Sequence, residues 1–376
     1  MKAPLYLFGW PSALGGSETK LAATAGLLAG DFAITWVPND AGVLGERRTR
    51  AWLVRHGMAA AAWEELPRRL QGTGLALCNI RFLTEGRALE ARMRGLRLVW
   101  GNEMMWPLPA ELAALTAGVL DTVLYTGGVQ RADLEPRYAE VLGAVVPPRG
   151  PGEQEPHAAW GGTGGMLSGV RGSVRWATVG NFVNAEEWPW RDRTRRRRWP
   201  ELVIGRLSRA DWGKFPGDFP RSYDRLRLEG AVRRRVMAWS PAMKQLWPGY
   251  GWGREWELLP ALAEEPQRFL QSLDLFVYDV HRNFRESWGR AVVEAMLTGA
   301  VPLIPADPRH HLPHLVPHGV AGFHCARAAD WRRWAQALQG DATLRRTMSR
   351  AAGEYARDGL CDPTRHREVW RTVLGG

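Results

Sequence analysis

Two glutamates, Glu286 and Glu294, have a spacing and a setting that point to chemistry. They flank Ser287-Trp288-Gly289-Arg290-Ala291-Val292-Val293, and Ala295-Met296-Leu297-Thr298-Gly299-Ala300-Val301-Pro302 follows. On one continuous helix, eight residues at about 1.5 Å each set the two carboxylates roughly 12 Å apart, with about 80° of rotation between them. At that distance they cannot share a proton or a metal ion, but they can touch two parts of one elongated ligand. Trp288, Val292, Ala295 and Met296 recur at helical spacing, Ser287 is placed to cap the helix, and Gly299 to stop it. Leu275 to Tyr278 is an apolar run of strand length before it, and Val301 to Ile304 begins another strand. Strand, loop, helix and strand predict a βαβ unit in a parallel sheet. A helix N-terminus reached from a strand end is a place where anionic groups bind. A capping glutamate followed by a solvated one would show the same spacing, so the pair by itself leaves both readings open.

The run from Glu286 to Pro302 resembles the donor-site signature of the retaining glycosyltransferases of GT-B fold. That large group includes sucrose synthases, glycogen synthases and many glycolipid mannosyltransferases. The resemblance implies that Glu294 holds the ribose hydroxyls of a nucleotide. It implies that Glu286, with the backbone amides of Ser287, Trp288 and Gly289, holds the donor sugar. Upstream, the predicted strand Leu202-Val203-Ile204 ends in Gly205-Arg206-Leu207-Ser208, and Lys214 follows. In the family an arginine and a lysine at this point clamp the diphosphate, so Arg206 and Lys214 are expected to do so here. The chemistry asks for it, because the leaving diphosphate gains charge as the glycosidic bond breaks, and fixed cations stabilise that charge. A planar guanidinium suits phosphate oxygens, and a lysine acts as a point charge. The loop from Arg206 to Lys214 is longer than in the simplest form of the motif.

Near the N-terminus, Leu5 to Phe8 reads as a strand, Gly9 to Gly16 as a loop, and Ser17 to about Ala29 as a helix. Strand, glycine-rich loop and helix can cradle a phosphate with backbone amides. Gly15-Gly16 matches the family's glycine loop, which contacts donor phosphates or sugar. Further on, the predicted strand Leu96 to Trp100 ends in Gly101-Asn102-Glu103, where many relatives carry a histidine. Asn102 and Glu103 are candidates there for acceptor or sugar contact.

Strands at Phe32–Val37, Leu75–Cys78, Leu96–Trp100 and Thr122–Tyr125 alternate with helical stretches around 50–56, 60–70, 110–117 and 131–142. This rhythm predicts a doubly wound parallel sheet. Pro147 to Val174 is rich in proline and glycine and reads as a loop or linker. Beyond Lys214, a helix over 219–228, a strand over 235–239 and a helical or looped stretch from Trp256 to Leu273 are expected. After the βαβ unit come a short strand over 322–325 and helices over 328–338, 341–357 and 364–373. The expected architecture is therefore GT-B: a Rossmann-like acceptor domain over 1–182 and a Rossmann-like donor domain over 183–357, facing across a cleft. A C-terminal segment, 358–376, would pack back on the first domain.

With 376 residues, 45% of them hydrophobic, the chain is long enough for two cores. Cys78, Cys325 and Cys361 lie far apart with no zinc spacing, and an odd count argues against a disulfide framework, which fits a reducing cytoplasm. The N-terminal apolar run is too short for a signal peptide, and no stretch approaches the roughly 20 apolar residues of a membrane span. The formal charge of +11 is densest over Arg191–Arg198 and 221–235. It suits a nucleic acid, an anionic membrane surface or the nucleotide diphosphate itself. His310, His314 and His318 have helical spacing, but Pro313 and Pro317 interrupt it and no carboxylate falls at ligand spacing, so no metal site is expected. The chain contains no Asp-x-Asp, and Arg206 with Lys214 would take a metal's place. The reading is a transfer of sugar from a UDP- or GDP-type donor, with retention, to a small molecule, a glycan or a nucleic-acid base. An epimerase of the same fold and a non-catalytic sugar-nucleotide sensor are the alternatives.

Overall fold

The computed structural model describes residues 2–11, 16–146, 161–191 and 201–375. The basic run over 192–198, the stretch 147–160 and Gly15 lie outside the described residues. The chain divides into two compact units, Met1–Phe182 with Pro363–Gly376, and Val183–Asp362.

The first unit is built on eight strands: β1 (Ala3–Phe8), β2 (Phe32–Val37), β3 (Ala59–Ala60), β4 (Thr73–Leu77), β5 (Arg97–Gly101), β6 (Thr122–Tyr125), β7 (Gly161–Gly169) and β8 (Gly172–Val179). Their order in the sheet is β3-β2-β1-β4-β5-β6-β8-β7, all parallel except the β7–β8 hairpin. Neighbouring residues of one strand feed opposite cores, as a period of two dictates. Leu98 and Trp100 of β5 join Ala76, Val123 and Trp176 on one face, whereas Val99 joins Leu75, Leu77 and Leu124 on the other. The second face is completed by Trp370, Val373 and Leu374 of the final helix, Pro363–Gly375. Burial on both faces is why the strands read as unbroken apolar runs.

The second unit holds β9 (Leu202–Leu207), β10 (Val232–Met237), β11 (Trp256–Leu259), β12 (Leu275–Val277), β13 (Val301–Pro305) and β14 (Phe323–Cys325). Their order is β11-β10-β9-β12-β13-β14, every pair parallel. Both sheets thus run outwards in two directions from a central pair, β1/β4 and β9/β12. The expected doubly wound architecture is the one observed. In such sheets ligands bind outside the carboxyl ends of the strands, where the strand order reverses.

Several local expectations are corrected. The stretch 60–70 is a three-residue turn (Trp63–Glu65) and irregular chain, because Trp63, Leu66 and Leu70 are buried one by one and Pro67 interrupts a helix. The glycine-rich residues 161–169 form β7 rather than a linker. Gly165 leaves no room for a Cβ, which would lie 2.8 Å from the Trp176 indole. β11 occupies residues expected to be helical or looped, and the helix expected over 219–228 is the single turn Arg221–Asp224. The twenty tryptophans, scattered in sequence, are partly gathered in space. Trp239, Trp247, Trp252 and Trp256 pack with Phe215, Phe219 and Tyr223 against the second sheet, ring centroids 5–6 Å apart.

Candidate functional site

Arg206 lies near the carboxyl end of β9, and Tyr278 and Asp279 directly follow β12, so all three stand at the reversal point of the second sheet. Gly205 lets β9 lie this close to its neighbour, since a Cβ there would be 2.0 Å from the Arg235 carbonyl oxygen on β10. Lys214 closes a short turn, Trp212–Lys214, that Asp211 caps by accepting from the Gly213 N–H at 3.0 Å. From this turn the Lys214 Nζ reaches Glu286 Oε2 at 2.6 Å, and the Tyr278 hydroxyl donates to the same oxygen at 2.7 Å. The side chains of Lys214 and Glu286 are only 13% and 10% exposed. Burial pushes the Glu286 carboxyl up, but the Lys214 ammonium and the Lys214 and Tyr278 hydrogen bonds outweigh it and hold the carboxyl below its ordinary range. Burial and the adjacent Glu286 carboxylate raise the Tyr278 phenol well above its usual range, which keeps it a donor.

Arg206, the expected diphosphate clamp, is engaged by the protein itself. It has no exposed surface, and its guanidinium donates to the Asp279 carbonyl at 2.5 Å, to Ser208 Oγ at 2.9 and 3.2 Å, and to the Lys214 carbonyl. Phe215 and Tyr278 lie against it, 4.4 and 4.8 Å from the guanidinium carbon to the ring centroids. Through these contacts Arg206 bolts the Lys214 turn and the chain after β12 together. Desolvation lowers its pKa, opposed by the neighbouring Tyr223, Tyr278, Asp279 and Glu286.

The helix after Glu286 also differs from expectation. It spans Arg290–Thr298, so only Glu294 of the pair is helical, and the spacing of a continuous helix does not apply. Ser287 precedes the helix, and Gly289 is the N-cap with φ +100°, a left-handed conformation that glycine tolerates. A Cβ on Gly289 would lie 2.3 Å from Leu312 Cδ2. Trp288 is 1% exposed, and its indole N–H has no protein acceptor among the described residues. Glu294 is 8% exposed and accepts from Arg290 Nε at 2.7 Å; burial raises its carboxyl, opposed by Arg290.

Tyr278, Asp279, Ser208 and His310 are additional members that the motif reading did not single out. His310 Nδ1 accepts from the Glu286 N–H at 3.0 Å, and the His311 N–H donates to the Glu286 carbonyl at 3.1 Å. A cavity of about 520 Å³ adjoins this loop, walled by Asp218, Asp279, His281, Asp307 and His310 among others. The position of Tyr278 and Asp279, at the end of a predicted strand in a βαβ unit, was the available signal. For His310 the sequence offered none. Among the described residues, no three His, Cys, Asp or Glu side chains group as metal ligands.

In the first unit, Asn102 is fully buried. Its amide donates to the Trp106 carbonyl at 3.0 Å and to Glu111 at 2.8 Å, and its oxygen accepts from the Met104 N–H at 2.7 Å. It therefore organises the loop after β5 and offers no free face to a ligand. Glu103 is paired at 3.0 Å with Lys20, itself 1% exposed. Gly16 opens the helix Gly16–Leu28; its partner in the expected loop, Gly15, is outside the described residues.

No protein-family model matches the chain, and no curated protein matches it in sequence. Solved structures do. Anabaena Alr3699/HepE in complex with UDP-glucose shares 13% identity over 100% of both chains, with a TM-score of 0.68. A glycosyltransferase from Rickettsia africae shares 9% identity over 99% of both, with a TM-score of 0.67. Sucrose-phosphate synthase from Thermosynechococcus elongatus shares 12% over 100% of both, with a TM-score of 0.65. At these identities the likeness establishes the fold, and it is the GT-B fold that the Glu-x7-Glu run implied.

Proposed function

We propose that this protein transfers a sugar from a nucleotide-diphosphate donor to an acceptor hydroxyl, with retention of configuration and without a metal ion. The observation that carries the proposal is the Lys214–Glu286–Tyr278 cluster at the strand-order reversal of a Rossmann-type sheet. A sugar nucleotide asks for two things at such a point, a cation for its diphosphate and an acceptor for its hydroxyls. Lys214 supplies the first and Glu286 the second. Lys214 and Glu286 neutralise each other here, and a donor would exchange their mutual contact for phosphate on one and hydroxyl on the other. The helix Arg290–Thr298 adds the positive end of its dipole. When the glycosidic C–O bond breaks, the electron pair stays on the phosphate oxygen, and these fixed positive groups stabilise it. Arg206 contributes by holding the Lys214 turn. Glu294 is assigned to the ribose hydroxyls on the strength of the motif.

UDP is the first donor base to test, because Alr3699/HepE is solved with UDP and with UDP-glucose. The acceptor is a small molecule, a glycan or a nucleic-acid base. A ligand that binds the native state raises the melting temperature, so a thermal-shift screen over UDP, GDP and their sugars tests the reading. A rise with one nucleotide series, lost in Lys214→Ala, supports it. No rise with any of them at millimolar concentration overturns it. NMR of the product anomeric proton then decides retention, and turnover undiminished by a chelator decides metal independence.

A further inference from the structure

The histidines after β13 are not used by the motif, yet one of them grips the residue on which the site turns. His310 is 3% exposed and reaches back 24 residues, its Nδ1 accepting the Glu286 backbone N–H at 3.0 Å. The next residue, His311, donates its own N–H to the Glu286 carbonyl at 3.1 Å. Leu312 fills the space beside Gly289. Three consecutive residues thus fix the backbone of the loop that carries Glu286, while Lys214 and Tyr278 fix its carboxylate.

We propose that His310 is a positioning residue for Glu286, and that it acts only as the neutral imidazole with its proton on Nε2. A ring nitrogen that accepts from an N–H must carry a lone pair, so Nδ1 is bare and the proton resides on Nε2. Nε2 lies 4.0 Å from Asp307 Oδ2, on the wall of the 520 Å³ cavity. A second proton would have to go on Nδ1, where it would meet the Glu286 N–H head on, and the grip would be lost. The charged surroundings are mixed. Asp307 and Arg309 stand on its own loop, and Arg285 and Glu286 on the facing one. Asp218, Asp279, His281 and Arg282 line the other cavity walls. Burial favours the neutral ring, reinforced by Arg309 and Arg285 and opposed by Asp307 and Glu286. The neutral ring, with its one proton on Nε2, is therefore still present at the ordinary imidazole value of about 6.5 and is lost only as the pH falls below that value, through the lowered pKa of the folded protein. The loop then holds Glu286 at neutral pH and lets it go in acid.

This inference rests on the proposed donor site, but one of its tests does not need a donor. Hydrogen exchange of the Glu286 amide should be slow in the wild type and in His310→Asn, whose Oδ1 can accept in place of Nδ1 and cannot be protonated in this range. It should be fast in His310→Leu, which has no acceptor. His310→Gln, which places its amide where Nε2 stands, should also be fast, and is the control should His310→Leu fail to fold. Calorimetry with UDP-glucose gives the second readout. His310→Gln should weaken binding about tenfold near pH 8, and His310→Asn should bind like the wild type there but lose the wild type's decline in acid. Unchanged Glu286 exchange in His310→Gln and His310→Leu overturns the grip. Fast exchange with unchanged UDP-glucose affinity overturns the positioning role. If no variant, nor the wild type, binds any sugar nucleotide, the proposed function fails, while the exchange data still decide whether His310 holds Glu286.

Discussion

Lys214 and Glu286, 72 residues apart in the chain, meet at 2.6 Å with both side chains largely buried, and Tyr278 donates to the same carboxylate oxygen. Neither residue touches the other through regular secondary structure. The Lys214 turn is held by Arg206, and the Glu286 loop by His310, His311 and Leu312. The pair is thus placed by its neighbours, and each neighbour offers a test.

Removing one member of a buried ion pair leaves the other charged and unsolvated. Lys214→Met should lower stability by about 3 kcal/mol, read as a shift in the urea midpoint. The double variant Lys214→Met/Glu286→Gln should recover most of that loss, because no charge is left stranded. It should not recover UDP-glucose binding. Recovery of both in the double variant would show that the pair is structural alone.

Arg206→Lys keeps the charge but removes the planar fork that spans Ser208, Asp279 and Lys214. We expect a stability loss of about 2 kcal/mol together with at least about a tenfold loss of transfer. A variant that keeps wild-type stability while losing transfer would mean that Arg206 meets the ligand directly.

Glu294→Ala should reduce kcat/KM for the donor at least about tenfold, near 1.4 kcal/mol, with the larger part in KM. Undiminished turnover would remove Glu294 from the donor site.

His311 makes stability fall in acid. Its ring is buried with neither nitrogen partnered among the described residues, and burial pushes its pKa down to about 3. The unfolded chain binds the proton near pH 6.5 and the folded chain resists it, so stability is complete above that value and declines as pH falls. At pH 5 the loss is on the order of 2 kcal/mol. Urea midpoints measured from about pH 7 to pH 5 should show the decline, and His311→Leu should flatten it.

Gly289→Ala tests the turn that separates Glu286 from its helix. The left-handed backbone and the Leu312 contact together should cost about 2–3 kcal/mol. A thermal melt close to the wild type would mean that the loop has another conformation available.

What the sequence determined by itself was local and periodic. The apolar runs of β1, β2, β5, β6 and β12 are buried on both faces, so their composition announced parallel strands. The Glu-x7-Glu run announced the fold through the family it resembles. Where propensity and environment disagreed, the reading failed. β7 is glycine-rich and survives on its pairing with β8, and β11 is a half-buried edge strand with Glu257 in it, without the apolar run of a buried strand. The helix after Glu286 starts late because Gly289 and Leu312, 23 positions apart, occupy one space.

Tertiary structure alone decided the rest. Lys214 faces Glu286 only because β9 and β12 are adjacent across the reversal of strand order, and nothing in either segment specifies that neighbour. Arg206, expected from its type and position to clamp a phosphate, is buried because the Lys214 carbonyl, Ser208 and Asp279 converge on it. The His310 nitrogen acquires its role from a backbone N–H 24 residues earlier, on the other side of β13 in the chain. A hydrogen bond depends on where two groups arrive in space, and residue type and spacing along the chain fix only what each group offers when it gets there.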